Sequence, residues 1–198
     1  MPAVEGETLS EARALTARGA ARRTALLDAA IAVVAAGGSG SLTHRTVAAT
    51  AKASLASVTY HFSSIEDLRR SMFERALQIV SDQLTETSAT GPVDELPRLV
   101  ADYVVALVTQ HRNAAAAVQE MVVAATHDPA LRPTFHEYHA RIADLLSPCV
   151  GGLAAGFAVA ATLQGQVVTA LTYPDLDIDC FHASVLDLIQ RLRVHPSA

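Results

Sequence analysis

His136 and His139, in the run Phe135-His136-Glu137-Tyr138-His139-Ala140, are the side chains whose type and spacing come nearest to metal chemistry. Two imidazoles three places apart share one helix face. The zinc-protease pattern, however, wants the second imidazole one place later, where Ala140 stands, and no third ligand completes the set. A solvated histidine pair and no metal is the expectation. Gly37-Gly38-Ser39-Gly40 has the composition of a phosphate loop but follows a helical pattern instead of a strand, so it fails the context that such a loop needs. Cys149 and Cys180 show neither metal nor redox spacing, and two thiols are too few for a secreted disulfide framework, which points to a reducing cytoplasm. With no assembled acid, base or nucleophile, an enzyme is not expected and no cofactor is implied. The remaining chemistry is recognition.

Recognition of nucleic acid needs local positive charge, and the chain as a whole is acidic, with a formal net charge of -5. The average hides a polarity. Between Ala12 and Phe62 the positive residues Arg13, Arg18, Arg22, Arg23, Arg45 and Lys52 are opposed only by Asp28, while Glu5, Glu7 and Glu11 precede them and the remainder is acidic. A basic head on an acidic body suits a protein that touches DNA with one end and repels it with the other.

The elements that would position such a head are helices. The 198 residues are 51% hydrophobic and 5% aromatic with no tryptophan, and alanine, leucine and valine are abundant, a balance that favours closely packed helices over a β-sandwich. An all-α fold of about nine helices follows. Residues 1–17 read as a disordered tail, since Met1 to Ser10 has neither the basic leader nor the apolar stretch of a signal peptide. A first helix is expected from Arg18 to Ala36, closed by Gly37-Gly38. Thr43 caps a short helix reaching Ala51, Lys52 to Ser54 turn the chain, and Ser54 caps another short helix ending at His61. Two helices of this length joined by a tight turn have helix-turn-helix spacing. Ser63 with Glu66, or Ser64 with Asp67, opens a longer helix that Gly91-Pro92 interrupts. Further amphipathic helices follow from Leu96, from Ala114 to Ala125, from Asp128-Pro129 to about Leu146 with Pro148 closing it, from Val150 to Leu171, and from Asp179 to about Arg193.

The stretch Ser41 to Leu68, SLTHRTVAATAKASLASVTYHFSSIEDL, resembles the DNA-binding segment of the TetR (tetracycline-repressor-type) family of bacterial regulators, most strongly in TYHFSSIEDL. The resemblance implies a dimer, a first helix bracing the helix-turn-helix, a ligand pocket in the body and dimerisation through the last two helices. It implies domains at 18–64 and 65–198, a palindromic double-stranded operator, a small apolar effector and a function as a repressor. Mapped onto this chain, Arg45, Ser57 and Tyr60 would meet base edges, and His44, Thr46, Ser54, Thr59 and His61 would meet phosphates, with the amides near Ile65. Lys52 stands where the family commonly has glycine in the turn, and Ile65 where it commonly has a basic residue. The rival reading is a helical ligand-binding or scaffold dimer that does not bind DNA.

For the body, Met72, Tyr103, Leu107, Met121, Phe135 and Tyr138 are the candidate ligand contacts, with Gln119, His111 and Thr162 as polar handles, although each position equally suits a filled core. The run Val150 to Leu171 approaches the length of a membrane span, but Gln164 and Gln166 interrupt it and no basic flank orients it. Its small residues favour close helix approach, so Gly156, Ala160, Gln164 and Val168, with Phe181, Val185 and Ile189 of the last helix, are expected at a dimer interface and not in a membrane. The sequence names neither the effector nor the operator, nor whether ligand releases or promotes DNA binding.

Overall fold

The computed structural model describes residues 3–88 and 95–192, which are helical with no strand among them. The expected break at Gly91-Pro92 and the last residue of the expected final helix, Arg193, lie outside the described residues. The chain divides into two compact units, Met1–Met72 and Phe73–Ala198.

The first unit holds α1 (Ala3–Gly37), a 3-10 turn (Ser39–Ser41), α2 (His44–Thr50), α3 (Leu55–His61) and the opening turns of α4 (Ile65–Ser88). Helix α1 starts well before Arg18, so the expected disordered tail is helix from Ala3 onward. Ala12, Ala14, Ala17, Ala20 and Ala21 are strong helix formers, and that propensity outweighs the cost of Gly6 and Gly19. Leu26, Ala30, Ile31 and Val34 of α1, Val47 and Ala48 of α2, Val58 of α3, Phe62, and Leu68 and Met72 of α4 are buried. These positions fall on helical stripes, and their burial is the main stabilising term for a unit this small. The unit extends two turns further than residue 64, because Leu68 and Met72 belong to its apolar set.

The caps follow the sequence. Thr43 Oγ1 accepts the Thr46 amide at 3.0 Å while the Thr43 amide donates to Thr46 Oγ1 at 2.9 Å, a reciprocal box that fixes the start of α2. Ser54 Oγ accepts the Ser57 amide at 3.1 Å and starts α3. Of the two serines considered for α4, Ser64 is the cap, accepting the Asp67 amide at 3.1 Å. Between α2 and α3, the Ala53 amide donates to Ala48 O at 2.8 Å and the Lys52 amide to Ala49 O at 3.2 Å. This is the paired closure of a Schellman turn, and it holds Lys52 at φ 48°. The turn keeps the left-handed shape that favours glycine, with lysine bearing the strain. Lys52→Gly is therefore expected to stabilise the head by about 1 kcal/mol in a denaturant titration. An unchanged midpoint would show the turn to be unstrained.

The second unit is built from the rest of α4, α5 (Leu96–Thr109), α6 (Arg112–His127), a 3-10 turn (Pro129–Leu131), α7 (Arg132–Val150), α8 (Leu153–Thr172) and α9 (Ile178–Leu192). Pro148 does not close α7, which continues to Val150. Proline lacks the amide that would bond Asp144 O, and Ser147 Oγ donates to that carbonyl at 2.9 Å instead. The true stop is Gly151, left-handed at φ 88°. Arginines tie helix ends together: Arg112 Nη2 donates to Leu171 O at 2.6 Å near the end of α8, and Arg132 Nε to Ala125 O at 2.9 Å near the end of α6. Cations at these carbonyl-rich termini also oppose the helix dipoles.

Candidate nucleic-acid interface and body cavity

Helix α3 has two unlike faces. Val58 is fully buried, whereas Tyr60 is 86% exposed and Leu55, Ala56 and Thr59 are also exposed. Burial of Val58 and of Phe62 just beyond the helix sets the rotation, and the opposite side is left to solvent. Ser57 is half-buried, and Arg45 on α2 is exposed. All three residues mapped to base edges, Arg45, Ser57 and Tyr60, thus have surface available for contact.

The residues mapped to phosphates divide differently. His44 Nε2 donates to Phe62 O at 3.2 Å, so this imidazole braces α2 against the end of α3. The Thr46 hydroxyl lies 3.0 Å from Ser41 O and 2.9 Å from Thr43 O, and serves the α2 box. Thr59 Oγ1 donates to Leu55 O and Ala56 O of its own helix, both at 3.2 Å. Ser54 Oγ accepts the α3 cap bond and keeps its own proton for another acceptor. His61 is half-buried with its ring edge-on to Tyr60. At the start of α4, Ile65 offers no cation, and the Asp67 carboxylate accepts the Ser63 amide at 3.2 Å.

The sequence reading missed the separate roles of Arg22 and Arg23. Arg22 Nε reaches Ser57 Oγ at 3.4 Å, which brings a guanidinium from α1 beside the outward side of α3. Arg23 Nη2 donates to the buried Ser71 hydroxyl at 2.8 Å, and its guanidinium carbon stands 5.0 Å from the centre of the Phe62 ring. Adjacent helix positions are turned by about 100°, and that rotation is the signal that separates the two. Arg23→Ala is expected to lower head stability by about 1 to 2 kcal/mol in chemical denaturation, through the lost hydrogen bond and cation–π contact. A change within experimental error would show that Arg23 braces nothing.

In the second unit a small cavity of about 30 Å³, room for about one water, lies among α4, α5, α6, α7 and α8. Tyr103, Leu107 and Tyr138 line it as expected, and so does Gln119. Met72 and Met121 do not: Met72 belongs to the first unit, and Met121 is a fully buried core residue. Phe135 stacks on His139 at 5.6 Å and stands behind the wall. His111 bonds Gln83 Oε1 at 3.0 Å, and Thr162 is exposed on the far side of α8. A helical stripe marks these positions as inward-facing without saying whether the inside is filled.

One hydrogen bond links each of two polar pairs at the cavity wall. Tyr103 and Tyr138 hydroxyls meet at 3.1 Å, and Gln164 Nε2 donates to Gln119 Oε1 at 3.3 Å. His139 Nε2 is buried with no hydrogen-bond partner. Burial pushes the Tyr103 phenol well above the ordinary tyrosine value, with Tyr138 adding to the shift, and burial also raises Tyr138. Desolvation, aided by His136, lowers the His139 imidazole, which favours its neutral form. Tyrosines in the unfolded chain ionise near pH 10, below the folded values, so the stability they confer is complete below about pH 10 and is lost as pH rises through the folded values. Thermal melts are expected to show body stability declining above about pH 10, with a shallower decline in a Tyr103→Phe, Tyr138→Phe double variant. Equal declines would separate the phenols from the effect.

Helices α8 and α9 place the expected dimer residues on two sides. Gly156 is buried, and a side chain there would collide with the Ala143 carbonyl of α7 in the same chain. Ala160 and Gln164 line the cavity, and Val185 and Ile189 are buried in the protomer. Gly156 thus serves the contact of α8 with α7. Val168 is exposed, and half-buried Phe181 lines an open groove with Gly165, Gln166, Thr169 and Tyr173. Helix α8 is long and apolar enough to span a membrane, with 33% of its apolar window buried in the protomer. No group of three or more potential metal ligands occurs among the described residues, and His136 and His139 belong to none.

Residues 26–72 match the description of bacterial regulatory proteins of the tetR family, and residues 91–193 match the tetracyclin repressor-like C-terminal domain. The multidrug binding protein EbrR, solved with imidazole, is 30% identical with a TM-score of 0.69 over 89% of this chain and 97% of that one. A TetR-family member from Streptomyces coelicolor A3 is 28% identical with a TM-score of 0.70 over 88% and 99% of the two chains. A transcriptional regulator from Rhodococcus sp. RHA1 shares the fold, with a TM-score of 0.73 at 18% identity over 86% and 95%. Curated protein sequences yield no significant match. With one description covering the helix-turn-helix and the other more than half of the chain, the protein belongs to the TetR family of bacterial regulators.

Proposed function

We propose that this DNA-binding regulator works as a homodimeric repressor in the cytoplasm, reading a palindromic operator with two copies of α3 and releasing it when a small ligand enters the body. The observation that carries the reading is the two-sided α3, with Val58 buried and Tyr60 at 86% exposure beside Ser57 and Arg45. An exposed aromatic on a helix only seven residues long is costly to leave in water and well suited to a major groove. Arg22 would add positive charge at the same surface. His44 and Thr46 act as braces and the Thr59 hydroxyl bonds its own helix, which leaves Ser54, His61 and the α4 amides as the phosphate contacts.

Pairing is supported by the uncovered apolar surface of α8, including Leu153, Phe157 and Val168, and by the adjacent groove where Gln166 Oε1 is buried without a partner. A second copy laid on α8 and α9 would cover both. EbrR complexes with malachite green, proflavin and ethidium support a ligand role for the body. To release DNA, the ligand must bind the non-binding arrangement more tightly, since equal affinity shifts nothing.

Selection from random duplexes followed by salt titration tests the reading. The expected result is an enriched palindrome whose affinity falls steeply with salt. Failure to enrich any sequence, or affinity indifferent to salt, would overturn it.

A further inference from the structure

We infer that Arg22, which lies outside the helix-turn-helix on α1, reads a guanine in each half of the operator, and that Ser57 is the positioning residue that holds it there. The inference rests on the reading of α3 as the helix that enters the groove. The arginines of this chain are used in different ways. Arg70, Arg98 and Arg191 each face a carboxylate, at 3.1 Å to Asp67, 3.5 Å to Asp102 and 2.6 Å to Asp187, so their charge is already met. Arg23 is engaged by the Ser71 hydroxyl and the Phe62 ring. Arg22 is exposed, and its partner is the uncharged hydroxyl of Ser57, which its Nε approaches at 3.4 Å. A hydroxyl orients a guanidinium without neutralising it. The positive charge therefore stays available beside the outward side of α3.

The same bond decides which atoms remain to be used. With Nε occupied, Nη1 and Nη2 at the end of the planar group carry no hydrogen bond among the described residues. Two parallel donors suit an edge that presents two acceptors side by side. In the major groove that edge is guanine, through O6 and N7, whereas adenine sets an amino donor beside its N7 and cytosine presents a donor. A phosphate accepts as well, but the place of the guanidinium beside Ser57, on the element that meets base edges, favours the base. Ser57 is free for this task because its amide, and not its hydroxyl, serves the Ser54 cap.

The test is selection from random duplexes, followed by binding titrations, with the full-length wild type, Arg22→Ala, Ser57→Ala, Ser57→Thr and the Arg22→Ala, Ser57→Ala double variant. Wild type is expected to enrich a guanine at one position of each half-site. Arg22→Ala should weaken binding to that operator roughly 10-fold and erase the preference at that position. Ser57→Ala should relax the preference at the same position, and Ser57→Thr, which keeps a hydroxyl, should retain it. The double variant should bind as Arg22→Ala does, because Ser57 acts through the arginine. None of these changes removes a buried apolar side chain or the Ser54 cap bond, so binding is read without a change of fold. Losses that multiply in the double variant, or an Arg22→Ala loss that is uniform across sequences with a reduced salt slope, would overturn the inference, the second by assigning Arg22 to phosphate. A wild-type palindrome left unchanged in Arg22→Ala would sink this inference alone. No enrichment by wild type would sink the repressor reading with it.

Discussion

A protein carrying Gly156→Val is expected to lose about 3 kcal/mol or more of body stability, enough to abolish cooperative folding if the margin is ordinary. The added Cβ would fall on the backbone carbonyl of Ala143, and backbone cannot rotate aside as a side-chain tip can. Gly156→Ala should move in the same direction. Gly165 is the control on the same helix: no atom lies within 4 Å of where its Cβ would be. Gly165→Leu should leave the protomer's fold intact and, if the second copy covers this face, weaken self-association in sedimentation measurements. Wild-type stability in Gly156→Val would refute the close α7–α8 approach.

Arg45→Ala and Tyr60→Ala are each expected to cost about 1 to 3 kcal/mol of operator affinity while changing stability by no more than about 0.5 kcal/mol. Both side chains are exposed, so their removal opens no cavity. The pattern matters as much as the size. Relaxed preference at one operator position identifies a base contact, whereas a uniform loss with a reduced salt slope assigns the residue to phosphate. Val58→Ala gives the opposite profile, with stability lost first, because Val58 is fully buried.

The contrast between these pairs also explains what could be read in advance. Thr43, Ser54 and the Lys52 turn are local: each is set by bonds within a few residues, and α3 ends at His61 as its caps require. Long-range partners are another matter. Gly156 advertises a close approach without naming the helix that makes it, and its neighbour proved to be α7 of the same chain. Met72 and Tyr103 occupy equally good inward stripes, yet one lies in the head and the other in a cavity wall. Arg22 and Arg23 look alike in sequence and differ only by the rotation of one helical step. The lack of an apolar stretch before Arg18 excludes a buried segment without excluding a helix, which is what the chain forms there.

The distribution of its four tyrosines, in a chain without tryptophan, makes the protein its own optical reporter. Tyr60 stands alone in the head, on α3, while Tyr103 and Tyr138 share a hydrogen bond inside the body. Intrinsic emission from Tyr60 should respond when bases stack against it, and emission from the paired phenols should respond when a ligand displaces one from the other. Single phenylalanine replacements would assign each signal, so occupancy of both ends could be followed in one unlabelled sample.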